Sequence, residues 1–286
     1  TLSLHDALPI FGYKLSVDKV NLSFLANASY VKNEIKNLGN QTGYIDKESL
    51  PTLGTVSRNE NGYPIGYFFG YKAIGVFQTQ EEIDSYISPA TGKPIQPNAA
   101  PGDTKFEDLN GDGVISDDNE DRTMIGKPNP DWMVGLTVAA DWNGFDLSAF
   151  FQGSFGADVF DALRRYELAA VNYTSDALER WTGPGTSNSM PRIVLGDTPK
   201  NFRPSTLLVH DASFLRLRNL QVGYTLPAQL TRKAYIQRLR FYASFDNLLT
   251  ITGYKGMDPE IGSTMGIDKG VYPQARVYTF GLNLTF

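Results

Sequence analysis

Six stretches of the chain alternate between apolar and polar residues with a period of two, which is typical of β-strands with one apolar and one polar face. In 276–286, for example, the bulky residues Tyr278, Phe280 and Leu282 alternate with small or polar ones. The other five stretches are 20–31, 132–142, 145–153, 214–225 and 239–249. A seventh strand is predicted to end with Tyr13, Leu15 and Val17. The pattern predicts an all-β protein with few helices.

One of these stretches changes phase. Leu215 and Leu217 lie on one face of 214–225, whereas Leu220 and Val222 lie on the other. A β-bulge inserts one residue and so reverses the faces, which predicts a bulge near Arg218–Asn219.

The connections alternate between short and long. Asp18–Lys19 and Asn143–Gly144 are predicted two-residue turns, and 227–237 is of moderate length. The long excursions are 32–131, 154–212 and 250–275. Outer-membrane barrels have short periplasmic turns and long extracellular loops, while a soluble sandwich rarely needs a structureless loop of more than about 15 residues.

The two faces of the strands also favour a transmembrane antiparallel β-barrel. Trp132 and Trp142 lie ten residues apart on one face. They would span roughly 23 Å on a tilted strand, close to the height of the apolar band of such a barrel, so we expect them in its aromatic belt. The other face carries residues that suit a water-filled lumen better than a soluble core: Asp141, Asp146, Gln152, Arg240 and Asp246.

The long loops are expected to carry some regular structure. The strand-like run 67–77 has no partner to complete an even number of crossings, so we place it in the surface excursion. Thr79–Glu82 forms a capping box and predicts a short helix through about Tyr86. Two further loop helices are predicted over 159–171 and 175–181. Arg216, Arg218 and Arg240 are expected to line the lumen or to pair with carboxylates.

Composition removes several classes of function. The 286 residues carry a net charge of −5, which argues against a nucleic-acid partner. Cysteine is absent, so a thiol nucleophile and a Cys-ligated metal are excluded. The first ten residues resemble the translated read-through of a sequencing adapter and fit no strand or helix period, and we expect them to be an artefact. His210 is then the single histidine, and no nucleophilic triad surrounds it in sequence, so we expect no enzyme.

Several strings, in this order and spacing, resemble the C-terminal part of a SusC/RagA-type TonB-dependent outer-membrane transporter. The resemblance covers nearly all of 11–286. The strings are Gly70-Tyr-Lys, Gly75-Val-Phe-Gln-Thr, Pro101-Gly-Asp, Asp108-Leu-Asn-Gly-Asp-Gly, Ile125-Gly-Lys-Pro-Asn-Pro-Asp131, Phe145-Asp-Leu-Ser-Ala-Phe-Phe-Gln-Gly153, Ala212-Ser-Phe-Leu-Arg-Leu-Arg-Asn-Leu220, Gly223-Tyr-Thr-Leu-Pro227, Asp246-Asn-Leu-Leu249, Tyr254-Lys-Gly-Met-Asp-Pro-Glu260 and Tyr272-Pro-Gln-Ala-Arg276.

The resemblance implies about seven strands of a 22-stranded barrel in the outer membrane of a Bacteroidetes-type Gram-negative bacterium. It implies import of oligosaccharides or peptides, a SusD-like surface lipoprotein as a lid, and energy from the TonB complex through an N-terminal part and plug domain that this chain lacks. Outer-membrane lipid and the barrel-assembly machinery are further implied partners. Phe286 resembles the terminal aromatic that this machinery reads. The resemblance does not specify the cargo.

One loop resembles an EF-hand. Asp108, Asn110 and Asp112 occupy its first, third and fifth positions, and Val114 would offer its carbonyl oxygen to a Ca²⁺ ion. Asn119 stands where an EF-hand has a bidentate Glu, and Glu120 or Asp121 would have to substitute for it. The alternative is an Asp- and Gly-rich turn that needs no ion.

Two other functions stay open from the residues alone. One is a soluble, calcium-stabilised β-sandwich that binds glycans, and the other is an enzyme or adhesin on a smaller barrel. The apolar face of the strands distinguishes the sandwich from the barrel. In a sandwich this face must be buried against a second sheet, whereas in a segment of a barrel it stays exposed. Six loop aromatics could stack on sugars or pack the loops: Tyr63, Tyr67, Phe68, Tyr166, Tyr173 and Trp181.

Overall fold

The protein is described from a computed structural model, which covers residues 2–7, 9–168, 171–261 and 265–286. Its regular structure is almost entirely strand. The strands are β1 (Leu2–Ala7), β2 (Ile10–Val17), β3 (Val20–Ile35), β4 (Tyr44–Leu50), β5 (Gly54–Glu60), β6 (Tyr67–Tyr71), β7 (Ala73–Val76), β8 (Thr104–Phe106), β9 (Arg122–Gly126), β10 (Trp132–Trp142), β11 (Phe145–Phe155), β12 (Asp158–Asp161), β13 (Val209–Asp211), β14 (Phe214–Thr225), β15 (Arg238–Thr252), β16 (Ile267–Asp268) and β17 (Val277–Thr285).

Helices are few and short. The α-helices are α1 (Gln80–Ser85) and α2 (Ala228–Thr231), and the 3₁₀ helices are Ser175–Glu179, Leu195–Asp197, Thr206–Leu208 and Arg232–Ala234. The longest of them has six residues, so no helix of the described chain could cross a membrane.

Eight strands form one antiparallel sheet, here called the wall sheet, in the order β1-β3-β10-β11-β14-β15-β17, with β2 also pairing with β3. β1 and β2 follow the same edge of β3 in one register, because Ala7 lies opposite Tyr30 and Ile10 lies opposite Asn27. The two strands therefore lie along one edge of β3 in a single register. All seven strands predicted from the alternation are confirmed.

The turns and the bulge follow the sequence as well. Asn143 and Gly144 both have positive φ, 46° and 89°, as the tight hairpin between β10 and β11 requires. Asp18 also has a positive φ, 53°, in the turn between β2 and β3. On β14, the register shifts between Leu217 and Asn219, so Arg218 is the bulged residue.

The expectation that residues 1–10 fit no strand is wrong for their backbone. Residues 2–7 form β1 and pair with 30–35 of β3. A period-two pattern in side chains is not required for this pairing, because a long neighbouring strand offers main-chain donors and acceptors to any extended segment. The origin of the segment as an artefact stays a prediction.

The wall sheet has two different faces. Its apolar face carries the cross-strand row Trp142, Phe145, Tyr224, Phe241 and Leu282. Its polar face carries the adjacent row Asp141, Asp146, Gly223, Tyr242 and Gly281.

The apolar face is exposed across the width of the sheet. Trp142 is 53% exposed and Phe280, on the same face, is 76% exposed. In the sandwich alternative this face would be covered by a second sheet, so its exposure contradicts that alternative.

The remaining strands form what we call the loop body, which is built from β4–β9, β12, β13, β16 and their connections. Its sheets have the orders β4-β5-β6-β9, β7-β8 and β13-β12-β16. All three clusters of buried apolar residues in the described chain lie here, around Phe68 and Phe160, around Val159 and Tyr254, and around Tyr166 and Phe202. The run 67–77 forms β6 and β7 of this body, and β3 pairs directly with β10, which confirms that the run is not a membrane crossing.

The loop helices were predicted with mixed success. In α1, the Thr79 hydroxyl accepts from the Glu82 N–H, and Tyr86 is the C-cap, as the capping box predicts. The helix over 159–171 is wrong for the described residues, because Asp158–Asp161 is a strand that pairs with β13 and β16. Phe160 packs there against Phe68, which is tertiary packing that a local pattern does not reveal. Residues 169 and 170 lie outside the described chain. Of 175–181, only Ser175–Glu179 is helical, as a 3₁₀ helix.

Candidate functional site

The polar face of the wall sheet holds charged residues in pairs that cross the strands. Arg240 donates from Nε to Oδ1 of Asp146 over 2.9 Å, although the two residues lie on strands that are not neighbours. The guanidinium passes over Gly223 of the intervening β14, where any Cβ atom would collide with it. Asn219 donates to Asp246, its direct partner on the neighbouring strand β15, over 2.7 Å. The prediction that Arg240 pairs with a carboxylate is confirmed.

A second group of charged residues, here called the arginine tether, consists of Arg216, Arg218, Asp258 and Glu260. It joins the N-terminal part of β14, here called its upper part, to the loop between β15 and β17. Arg216 is only 1% exposed and donates to Thr250 over 2.9 Å and to Glu260 over 3.0 Å. It also forms an ion pair with Asp258. Since a buried guanidinium is costly unless it is paired, these acceptors are what allow Arg216 to be buried.

Arg218, the bulged residue, belongs to the same group. Its Nη2 atom lies 2.6 Å from both carboxylate oxygens of Glu260, and its Nε donates to Gln152 over 2.6 Å. Its Nη1 donates to Asn247 over 3.1 Å. Sequence analysis named the arginines but missed Asp258 and Glu260, whose signal was the string Met257-Asp-Pro-Glu260 within the family resemblance.

The electrostatics of Asp258 reflect this arrangement. Burial by itself raises the pKa of Asp258, but the backbone N–H groups of Gln274 and Glu260 and the guanidinium of Arg216 outweigh burial and hold the pKa below its usual range. The carboxylate is therefore ionised at neutral pH and binds the arginine as a charged pair.

The tether also shows on which side of the sheet the loop lies. Gln152 and Arg216 are cross-strand partners on the polar face. Arg216 contacts Asp258 and Glu260 directly, and Gln152 accepts from Arg218, which itself binds Glu260. The loop between β15 and β17 therefore folds over the polar face. The interaction of Asn247 with the carbonyl oxygen of Ala275, 2.9 Å away, holds the far end of the loop near the same strand.

Above the ends of β14 and β15 lies an open cavity of about 610 Å³, here called the mouth cavity. Its walls come from β7, from Arg164, from parts of 176–190, from β13 and from the residues that follow β15. His210 lies in this wall, and burial followed by the charge of Arg164 lowers its pKa. Its Nε2 atom has no hydrogen-bond partner, and the Asp161 carboxylate, 3.7 Å away, is already paired with Arg164.

The EF-hand-like loop is held by its own hydrogen bonds. Asp108 accepts from the N–H groups of Gly111 (2.8 Å) and Gly113 (2.9 Å). The Asn110 amide donates to Asp112 (3.0 Å) and to Glu120 (2.9 Å). Val114 donates its N–H to Asp112 over 2.8 Å.

Within the described ranges, no group of three or more His, Cys, Asp or Glu side chains is arranged to hold a metal ion. Calcium at Asp108, Asn110, Asp112 and Val114 stays a prediction.

The remaining predicted residues have clear positions. Trp132 and Trp142 are exposed at opposite ends of β10 on the apolar face, and Phe286 is exposed just after β17. Their roles in the aromatic belt and as an assembly signal stay predictions. Of the six loop aromatics, Tyr67, Phe68 and Tyr166 are fully buried, and Tyr63 stacks on Tyr67. Trp181 donates to Gln78, and Tyr173 is exposed. Most of these rings therefore pack the loop body.

The wall sheet has one exposed apolar face and one charged polar face, and the loop body has hydrophobic clusters of its own. Comparisons with known proteins show which family has this arrangement. No family model matches the chain. It is 34% identical over 236 residues to the TonB-dependent receptor P3 of Formosa agariphila, a match that covers 79% of this chain and 22% of that receptor. It is 30% identical over 263 residues to the TonB-dependent receptor SusC of Bacteroides thetaiotaomicron, covering 91% of this chain and 24% of SusC.

Structure comparison agrees. The whole chain superimposes on 29% of a chain in the structure of the RagAB peptide transporter, with a TM-score of 0.76 and 26% identity. The chain is part of a SusC/RagA-type TonB-dependent receptor. It spans about a quarter of the length of these receptors, and the wall sheet corresponds to part of the RagA barrel.

Membership in the SusC/RagA type places the chain in the outer membrane, as the sequence predicts. The apolar face is then the surface that meets lipid, and the polar face is the surface that meets the lumen. The arginine tether lies at the upper end of that lumen, where it holds a loop against the barrel wall.

Proposed function

We propose that this chain forms part of the barrel wall and the extracellular mouth of a receptor that imports oligosaccharides or peptides. The observation that supports this most directly is the polarity of the wall sheet. A row of exposed aromatic and aliphatic side chains lies on one face, while charged pairs such as Arg240–Asp146 lie on the other. A sheet of this kind separates hydrocarbon from water and provides a hydrophilic path.

We propose, further, that the receptor acts with a SusD-like lipoprotein lid and draws energy from the TonB complex. Two of the structural relatives are the RagAB peptide importer in an open-open and in a closed-closed state. The loop body has hydrophobic clusters of its own and would offer such a lid a folded surface. The TonB contact would be made by parts of the receptor outside this chain.

Uptake by cells that carry the full-length receptor tests this function. A fluorescent oligosaccharide set and a fluorescent peptide set are supplied to the wild type, to a strain lacking the receptor, and to a strain lacking TonB. We expect uptake of one set, with loss in both deletion strains. Uptake that persists without TonB, or no uptake of either set by the wild type, would contradict the proposal. Co-purification of a lipoprotein encoded next to the receptor gene tests the lid.

A further inference from the structure

The connection between β14 and β15, residues 226–237, is here called the basic connection. It lies at the same end of the wall sheet as the tight turn between β10 and β11, because the carbonyl oxygen of Gly144 accepts from the Thr225 N–H over 2.7 Å. The Gln237 N–H donates to Thr285, the last residue of β17, over 2.8 Å. Short turns mark the periplasmic end of an outer-membrane barrel, and the loop body is joined to the opposite end of these strands. The basic connection is therefore periplasmic.

Arg232 and Lys233 give the basic connection its charge. No Asp or Glu occurs in 226–237, although the whole chain has a net charge of −5. Both side chains are exposed, and neither forms an ion pair or a hydrogen bond with any residue that the structure describes. The other turns at this end are uncharged or, at Asp18–Lys19, carry one charge of each sign. The periplasmic end of the sheet therefore presents two cations without a counter-ion.

Two large apolar side chains of the basic connection are exposed beside these cations. Leu230, in α2, is 59% exposed, and Tyr235, which ends the 3₁₀ helix Arg232–Ala234, is 90% exposed. Tyr235 has a φ of 60°, the left-handed conformation in which helices commonly end with glycine. A bulky residue is strained there, so glycine would suit the folded chain better. A ring with a polar hydroxyl is instead favoured where hydrocarbon meets water.

The basic connection begins close to the edge of the apolar face. Tyr224 lies on that face, with its ring centroid 4.4 Å from that of Phe145, which in turn lies 6.3 Å from Trp142. Pro227 follows Tyr224 by three residues. On a strand tilted by about 45°, this distance is roughly 7 Å along the membrane normal, and a headgroup layer is roughly 5–8 Å thick. The basic connection is therefore at the depth of the phospholipid headgroups.

We propose that the basic connection binds anionic phospholipid in the periplasmic leaflet of the outer membrane. The phosphate of the headgroup contacts Arg232 and Lys233, while Leu230 and Tyr235 enter the boundary between headgroups and acyl chains. Cations next to exposed apolar side chains are what hold a segment on an anionic membrane surface. The proposal depends on the location of the receptor in the outer membrane and is independent of the cargo.

Native mass spectrometry of the full-length receptor in detergent tests the site by counting the lipids that it retains. Phosphatidylglycerol is the anionic probe, and phosphatidylcholine with the same acyl chains, which has no net charge, is its counterpart. We expect the wild type to retain phosphatidylglycerol in preference. R232Q/K233Q should bind it roughly twentyfold more weakly at this site, since each cation near an anionic headgroup contributes about fivefold. The variant should therefore retain about one phosphatidylglycerol fewer, with phosphatidylcholine unchanged.

Two further variants make the test specific. Tyr235→Gly removes the ring and the backbone strain together, so it should unfold no more easily than the wild type. It should nevertheless bind phosphatidylglycerol about fivefold more weakly, as for roughly 40 Å² of apolar surface left in water. A tyrosine needed only for the fold would show the reverse. The matched control K47Q/K93Q removes two exposed lysines from the loop body and should retain lipid like the wild type.

Equal retention of the two lipids by the wild type, or unchanged phosphatidylglycerol retention by R232Q/K233Q, would overturn the proposal. So would full competition by glycerol 3-phosphate at the same concentration, because the site would then hold a free anion rather than a lipid. Heat-dependent gel mobility confirms that each variant is folded before the lipids are counted. Uptake of cargo does not enter this test, so its failure would leave the proposed function intact.

Discussion

The loop body and the wall sheet place their apolar side chains in opposite environments. In the loop body, Phe68, Phe160 and Leu208 are fully buried against one another, as in any water-soluble domain. In the wall sheet, residues of the same types, such as Phe241 and Leu282, remain exposed on one face. The difference shows that two solvents act on one chain: the loop body folds against water, whereas the wall sheet needs lipid on one side.

Among the substitutions that test this difference between the two regions, Phe160→Ala is expected to have the largest effect on stability. Phe160 is 0% exposed and packs against Phe68, so its truncation should lower the free energy of unfolding of the loop body by about 3–5 kcal/mol. Leu178, 81% exposed in the same body, provides the control, and Leu178→Ala should change stability by less than about 0.5 kcal/mol. Denaturant-dependent proteolysis of the full-length receptor in detergent measures both. Equal effects would show that the loop body has no core of its own.

Breaking the arginine tether should have nearly as large an effect, but on one loop. Arg216→Met leaves Asp258 and Glu260 near the wall without this cation, at a cost of about 3–5 kcal/mol. We expect faster tryptic cleavage after Lys255 and Lys269, while the barrel stays intact. Arg240→Met, whose partner Asp146 is partly exposed, should cost only about 1 kcal/mol and leave these cleavage rates unchanged. Equal cleavage in the two variants would argue against the tether.

A charge on the apolar face tests the other region. Leu136 lies near the middle of β10 and is exposed on this face. In a bilayer, Leu136→Arg should destabilise the barrel by about 2–4 kcal/mol, whereas a surface exposed to water would tolerate it. Urea unfolding of the full-length receptor in liposomes, followed by its heat-dependent gel mobility, gives the value. Leu136→Ala controls for lost side-chain volume, and a neutral result for the arginine variant would mean that the face does not meet lipid.

Two buried carboxylates should respond to pH in opposite directions. Burial raises the pKa of Asp197 to about 6, despite N–H donors from Phe202 and Asn201. Because the folded pKa lies above the unfolded one, its neighbourhood should be most stable below about pH 4 and lose up to about 3 kcal/mol as the pH rises through about 6. The pKa of Asp258 is lowered, so the tether should instead weaken as the pH falls below about 4.

Proteolysis of the full-length receptor across this pH range, compared with Asp197→Asn and Asp258→Asn, separates the two carboxylates. Each substitution should flatten the pH response of its own region only. If the pH response of the tether persists in Asp258→Asn, another titrating group must cause that response.

Calcium is expected to have the smallest effect. The loop around Asp108 and Asp112 already has internal hydrogen bonds, so an ion would add order rather than create it. Saturation at about ten times Kd would stabilise the loop by roughly 1.4 kcal/mol, and Asp112→Ala should abolish that gain. Thermal unfolding with calcium and with a chelator provides the measurement. No difference between the two would support the ion-free turn.

The wall sheet could be predicted from sequence because its signal is local. Each strand from β10 to β17 in this sheet repeats one alternation, and the phase change in β14 was sufficient to locate the bulge. The loop body was harder to predict. Its strands are short, and β12 owes its conformation to β13 and β16, which lie far away in sequence, so a helix was predicted in its place.

The functional residues divide in the same way. Arg216 and Arg240 stood out because a charge within a strand is unusual, but their partners could not be identified by spacing. Asp258 contacts Arg216 across 42 residues of sequence, and the mouth cavity combines β7 with segments more than one hundred residues away. Contacts of this range depend on how the loops pack, which no periodicity encodes.

The single extra residue at Arg218 determines the orientation of half a strand. Leu220 and Val222 on one side of it, and Leu217 and Leu215 on the other, all point to the apolar face, although Leu217 and Leu220 are three positions apart and a regular strand would place them on opposite faces. Deletion of Arg218 would remove the bulge and leave Leu215, Leu217, Leu220 and Val222 in one unbroken alternation on the apolar face. If Arg218 were instead drawn into the ladder as an ordinary strand residue, Arg216 would face hydrocarbon and Leu217 would face the channel, so the bulge is what lets this sequence keep its charges in water along the whole strand.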